Sequence, residues 1–107
     1  MSSPTARSLA YARKQGWTAA VTEKWNPHAR IRQDLFGFID MIVMDGDRIT
    51  AVQVTSGANH ASRVAKVQAS AHAALWLESG GHIAVWSWRL AGKRGARKKY
   101  ELRQERL

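Results

Sequence analysis

This chain of 107 residues sets 17 lysines and arginines against eight aspartates and glutamates, has no cysteine, and carries a formal charge of +9. The length allows one domain over residues 1–107 and excludes a two-domain enzyme with a large cofactor cleft. With 45% apolar residues and five tryptophans, disorder is excluded too, and without cysteine so are disulfide scaffolds, zinc ribbons and thiol nucleophiles.

Ser3-Pro4 is a helix start, a hydroxyl cap followed by proline at the first helical position. The helix is expected to run to about Gln15, with Ala6, Leu9, Ala10 and Tyr11 near one side and Gly16 as a stop. From Trp17 to Trp25 the odd positions read Trp, Ala, Val, Glu, Trp, a period-two strand pattern with Glu23 as the acid on its apolar face. Asn26-Pro27-His28 is a loop. Residues 35–44 are apolar on both faces, as a central strand must be, and Asp40 is their only charge. After the turn Asp45-Gly46-Asp47, residues 49–55 form a third strand with Gln53 and Thr55 on one face.

Residues 56–60 break the pattern, and a helix is expected over about 61–79, ended by Gly80-Gly81. A fourth strand follows at 83–90, with Trp86 and Trp88. A basic loop over 91–99 then leads into a last strand at 100–106. The order αβββαββ predicts an α/β (α+β) fold with one mixed sheet flanked by helices, 1–90 forming the core. No run of 18 apolar residues exists, and residues 1–15 have no cleavage-type apolar region. The expectation is a cytoplasmic protein that binds an anionic partner and no membrane.

An acid inside an apolar strand is expensive unless it is paired or binds a metal. Asp40 is such a residue, with hydrogen bonding to a loop or pairing with an arginine as the plainer alternative. Gln53 and Thr55, at i and i+2 on the next strand, share a face, and Glu23 is a fourth polar group for the same place. Oxygen ligands from neighbouring strands suit Mg²⁺, or Mn²⁺ in its stead, which keeps several waters. Beside a phosphodiester such an ion polarises oxygens and generates hydroxide at neutral pH.

The succession helix, strand, "FGFID" strand, turn, "AVQVTS" strand, basic-faced helix and strand resembles the PD-(D/E)XK nuclease superfamily. The likeness covers about residues 7–90 and is to small Holliday-junction-resolvase-like and VRR-NUC-like members, such as phage-encoded ones. It implies a restriction-endonuclease-like fold in which an acid on the second strand and one on the third hold the metal. A lysine two residues later orients or activates the attacking water. Asp40 matches the first acid, Gln53 stands at the second and Thr55 stands where the lysine belongs, a variant D…QxT motif. The resemblance implies a metal shell of Asp40, Gln53, the Val54 carbonyl and Asp34 or Glu23. Lys66 or Arg63 on the following helix would take the lysine's part. Each has a plainer reading: Asp34 as a turn or cap residue, Glu23 as an arginine's partner, Lys66 and Arg63 as surface cations.

Eight of the 17 cations fall in the last 19 residues. Lys93, Arg94, Arg97, Lys98 and Lys99 crowd a loop that Gly92 and Gly95 keep supple. Phosphate backbones attract such a loop without reading sequence. Arg30 and Arg32 lie before the Asp40 strand, where they could grip phosphates, and Trp25 at a strand end is a stacking platform. The histidines lack metal-ligand spacing, though His60 falls near the expected site. No glycine-rich phosphate loop is present, which argues against nucleotide triphosphates.

With the resemblance, these signs lead to the expectation of a metal-dependent DNA endonuclease acting on Holliday-junction or other branched DNA, by water attack without a covalent intermediate. Two symmetric cuts in a branched duplex would call for a homodimer. The rivals are a non-catalytic nucleic-acid-binding module of the same fold, which the Gln53/Thr55 pair favours, and an RNA-associated basic domain.

Overall fold

The computed structural model describes residues 3–107; Met1 and Ser2 lie outside that range. The first helix, α1 (Pro4–Lys14), is capped by Ser3, whose Oγ accepts from the Ala6 amide at 3.1 Å, and the chain leaves it through Gly16 at a φ of 83°. Its inward stripe is Ser8 and Ala12 with Leu9 and Tyr11, while Ala6 and Ala10 face solvent. Ser8 stays dry because its hydroxyl donates to the Pro4 carbonyl and accepts from the Trp88 indole, both at 2.8 Å.

Five strands form one mixed sheet in the order β1 (Thr18–Val21), β4 (Met41–Met44), β5 (Ile49–Ser56), β6 (His82–Ala91), β7 (Lys99–Arg106). Only β5 and β6 run parallel, with Gln53 opposite Val85 and Thr55 opposite Ser87. Alternation along the strands divides the core in two. On one face Met41, Val43, Val52, Val54, Ala84 and Trp86 pack under α1, where the Tyr11 ring meets Trp17, Trp86 and Trp88 edge-on. On the other, Phe38, Ile39, Ala51, Ile83 and Val85 pack against Val67 and Ala73 of α2 (His60–Gln68) and α3 (Ala71–Glu78). Each face thus buries a full set of apolar side chains, the main source of stability in a sheet this small.

Three expectations are corrected. The strand drawn from Trp17 to Trp25 is two pieces. After Val21 the chain turns out of the sheet, and β2 (Lys24–Asn26) pairs with β3 (Ile31–Gln33) in a separate antiparallel arm. The apolar run 35–44 is strand only from Met41 onward. Phe36 and Gly37, at φ values of 54° and 79°, reverse the chain so that Leu35 and Ile39 bond to each other. Two successive left-handed residues make a tight hairpin turn, so hydrophobicity there served a turn packed on the core. The long helix 61–79 is also two helices. Ser70 adopts extended backbone and caps α3, its Oγ accepting from the Ala73 amide at 3.2 Å, because a serine hydroxyl offers the backbone an alternative to the helical bond.

Gly80 and Gly81 end α3 as expected. A β-carbon on Gly81 would lie 2.3 Å from the Trp76 indole nitrogen, which donates to the His82 carbonyl at 2.8 Å. That position admits no side chain. Between β5 and α2, residues Gly57–Asn59 form a single 3₁₀ turn. The 91–99 segment is the exposed tip of the long β6–β7 hairpin, β7 being strand from Lys99 onward. No helix of the described residues is long and apolar enough to cross a membrane.

Candidate metal centre

The strand directions bring one end of the sheet into focus. The C-terminal ends of β1, β5 and β6 and the N-terminal ends of β4 and β7 all lie there. Asp40 stands at the start of β4 on that end, 4% exposed, on the face covered by α2. Its backbone continues the sheet, its amide donating to the Val52 carbonyl at 2.9 Å. Its side chain takes over where the ladder stops: Oδ2 accepts from the Val54 amide at 2.7 Å and from the Gln53 side-chain amide. Alternation along β5 puts the Val54 carbonyl on the same strand edge as its amide.

The Asp40 carbonyl accepts from the Thr22 and Glu23 amides, at 2.9 and 3.3 Å, and Thr22 Oγ1 donates to the Ile39 carbonyl. The break after β1 is thereby pinned to β4, and Glu23 is held beside Asp40 at the root of the β2–β3 arm. Asp34 stands at the other root of the arm, and its own carbonyl accepts from the Gly37 amide in the tight turn. Glu23, Asp34 and Asp40 each present a carboxylate oxygen within 4.8 Å of the others. Of the sequence candidates for a second acid, the fold brings both together with the first.

Two cations oppose these three acids. Lys66 of α2 donates to Asp34 Oδ2 at 3.3 Å and to Gln53 Oε1 at 3.4 Å. Arg32 of β3 pairs with Glu23 at 3.0 Å. Gln53 is therefore a bridge, its amide hydrogen on Asp40 and its oxygen on Lys66. Thr55 is buried on the same face two residues further on, with no hydrogen bond to Asp40, Gln53 or Lys66. Arg63, one turn before Lys66, makes no ion pair with a described residue.

Burial pushes the Asp40 carboxyl up to about 8, helped by its shared hydrogen bond with Asp34 and the charges of Asp34 and Glu23; the Val54 amide acts against them. Asp34 moves below its ordinary value: burial opposes this, but hydrogen bonds from Asp40, Lys66 and Gln53 and the Lys66 charge outweigh it. The pair behaves as two carboxyls sharing one proton, because like charges this close resist ionising together. A divalent cation relieves the same repulsion without the proton. The donors are hard carboxylate and carbonyl oxygens on rigid strand ends, the kind Mg²⁺ and Mn²⁺ take, and they fit such an ion.

Other sequence candidates lie apart from this cluster. Trp25 and Arg30 are on the β2–β3 arm, Trp25 60% exposed. Lys93, Arg94, Arg97 and Lys98 are on the exposed β6–β7 tip, and Lys99 opens β7. In the strand order the arm root and this tip flank β4 and β5, so basic segments stand on both sides of the acids at one end of the sheet.

His60 is placed elsewhere than expected. It is buried between Ser87 Oγ, 2.6 Å from Nδ1, and Glu105 Oε1, 2.9 Å from Nε2, and Arg103 pairs with Glu105 at 3.4 Å. The sequence reading missed this polar set. Its one signal was Ser87 between two tryptophans on an otherwise apolar strand.

No family model matches this chain, and neither the curated proteins nor the solved structures yield a match.

Proposed function

We propose that the protein is a Mg²⁺- or Mn²⁺-dependent DNA endonuclease, of the PD-(D/E)XK kind its motifs resemble, acting on branched DNA. The observation that carries the reading is the convergence of Glu23, Asp34 and Asp40 at a sheet end with Lys66 and Gln53 beside them. Three acids packed into a chain of charge +9 are hard to rationalise as solvation. They suit a cation, and the surrounding bases suit a polyanion.

The three carboxylates would hold the ion, with the Val54 carbonyl at the adjoining strand edge. A divalent cation at such a place supplies Lewis-acid polarisation of a phosphodiester and lowers the pKa of water. The chain's own groups do the rest. The Val54 and Gln53 amides fix the rotamer of Asp40, so its other oxygen has one direction to offer. Gln53 ties that carboxylate to Lys66. The Lys66 ammonium, on the helix after β5, would take the part of the family pattern's strand-borne lysine, holding an attacking water or balancing charge developing on phosphate. Arg32, Arg30 and the β6–β7 tip bind backbone phosphates and carry no base specificity.

The second reading, a non-catalytic nucleic-acid-binding module, is favoured by the uncharged Gln53/Thr55 pair on β5. Incubation with a labelled four-way junction, a flap and a linear duplex, in Mg²⁺, Mn²⁺ or EDTA, decides between them. Metal-dependent strand cleavage lost in Asp40→Asn, with DNA binding retained, is the expected result. Tight binding without cleavage under either metal would leave the binding module as the function.

A further inference from the structure

We infer that the β2–β3 arm is a stacking clamp for an unpaired nucleobase, placed beside the acids so that the strand it holds is the strand presented to them. The inference rests on reading the acid cluster as a phosphodiester site and names the recognition surface that feeds it.

The arm has no core of its own. Of residues 24–33 all but Asn26 are exposed, including Trp25 at 60% and Ile31 at 51%. An isolated two-stranded hairpin is marginal in water, yet this one is closely fixed. Asn26 Oδ1 accepts from the His28 and Ala29 amides at 3.0 and 3.1 Å, Arg30 turns the chain with a φ of 55°, and Arg32 ties the arm to Glu23. A three-pair ladder, a local turn, an Asn26–Gln33 side-chain bond and one ion pair hold an element that buries almost nothing, so its side chains are not chosen for packing.

Its composition points to nucleic acid. The segment carries Lys24, Arg30 and Arg32, with His28 at the tip, and no acid. Among the five tryptophans Trp25 alone is exposed; the other four are packed, each against another aromatic ring. A free indole beside cations is a platform on which bases of an unpaired strand stack, whatever their sequence. Bases within a duplex are already stacked and gain nothing from it without being unpaired first.

Register gives the arm its direction. Trp25 lies opposite Arg32 and shares its face, while Ile31 is on the other face opposite Asn26. Two residues of strand, about 7 Å, separate Trp25 from Glu23 at one root of the arm, and Asp34 is the other root. A base on the indole thus belongs to a nucleotide close to the phosphate at the acids, with Arg32 between them.

The test is binding in EDTA, where no cleavage enters, by fluorescence anisotropy of a labelled single-stranded oligonucleotide, a flap and a fully paired duplex. Wild-type protein should prefer the single strand and the flap. Trp25→Ala should lose about tenfold in affinity for both while its duplex affinity stays within about twofold. Trp25→Phe should keep most of the preference, and Ile31→Ala, on the opposite face, all of it. Equal losses on all three probes, or none, would overturn the clamp. Metal-dependent cleavage by wild-type protein is scored separately, so a protein that selects unpaired DNA but never cuts would sink the nuclease reading and spare the clamp.

Discussion

Two buried polar sets share the α2 face of the sheet, and they are built on opposite principles. Around His60, each ring nitrogen has a partner, Ser87 or Glu105, and Arg103 answers the one carboxylate. Around Asp40, three carboxylates meet two cations, and one proton is held far above its ordinary range to make the arrangement tolerable. The first set is complete within the chain. The second keeps a surplus of acid over base that a bound cation would relieve. Satisfied networks specify a fold, whereas clustered groups with displaced pKa values mark places where chemistry or binding occurs. Burial alone, which the two sets share, does not separate them; the balance of charge does.

The comparison can be broken by exchanging roles. Asp40→Asn keeps both accepted hydrogen bonds and removes the carboxylate, so metal-dependent cleavage should fall about a thousandfold. Calorimetric titration with Mn²⁺ should show weakened binding, while the fold persists. His60→Ala should do the reverse. It leaves Ser87 and Glu105 without their partner and opens a cavity, at a cost of about 3 kcal/mol. A thermal melt should drop by roughly 12–24 °C, with Mn²⁺ affinity unchanged in whatever fraction is folded. If His60→Ala abolished metal binding in folded protein, the two sets would be one site.

Adding saturating Mn²⁺ sharpens the same contrast. Mn²⁺ at a hundred times its dissociation constant should stabilise wild-type protein by about 2.7 kcal/mol, seen as a raised melting temperature that Asp40→Asn does not share. Lys66→Ala should cost about tenfold in cleavage rate while binding Mn²⁺ at least as well, since one opposing positive charge has gone. A rate unchanged from wild type would show that Lys66 only pairs with Asp34.

The last contrast is in pH. Asp40 has its folded carboxyl raised from 3.8 to about 8, so the folded state binds its proton more tightly than the unfolded chain does. Stability from this group is complete below about pH 4 and is lost as pH rises towards 8. In EDTA the melting temperature of wild-type protein, relative to Asp40→Asn, should therefore fall across that window. Mn²⁺, which favours the ionised carboxylates, should remove or invert the slope.

Several features were legible from residue order because they rest on local chemistry. Ser3-Pro4 and Gly16 bound a helix through capping and backbone freedom. Asp45-Gly46-Asp47 joins β4 to β5, and strict alternation in 49–55 puts Gln53 and Thr55 on one face. The sequence pattern reads the two-part helix as one because Ser70 sits in an otherwise good helical run and only its cap geometry declares the break. The run 35–39 has the pattern of a strand because a tight turn packed on the core is as apolar as a central strand. Period-two patterning puts Glu23 in a strand, whereas it sits in the break after β1, where the Asp40 carbonyl holds it.

The sequence by itself determined a basic single chain with a mixed sheet, a charged residue where a core should be dry, and a helix with cations after the third strand. Periodicity, caps and turn residues act over a few positions, so these could be read in order. Tertiary structure alone decided that Glu23 and Asp34 join Asp40, that Lys66 reaches them, that His60 belongs to a different network, and that Trp25 stands free on an arm. Those outcomes depend on which strand ends meet, a matter of hydrogen-bond register and face between residues up to 45 positions apart, as His60 and Glu105 are, and no local pattern encodes it.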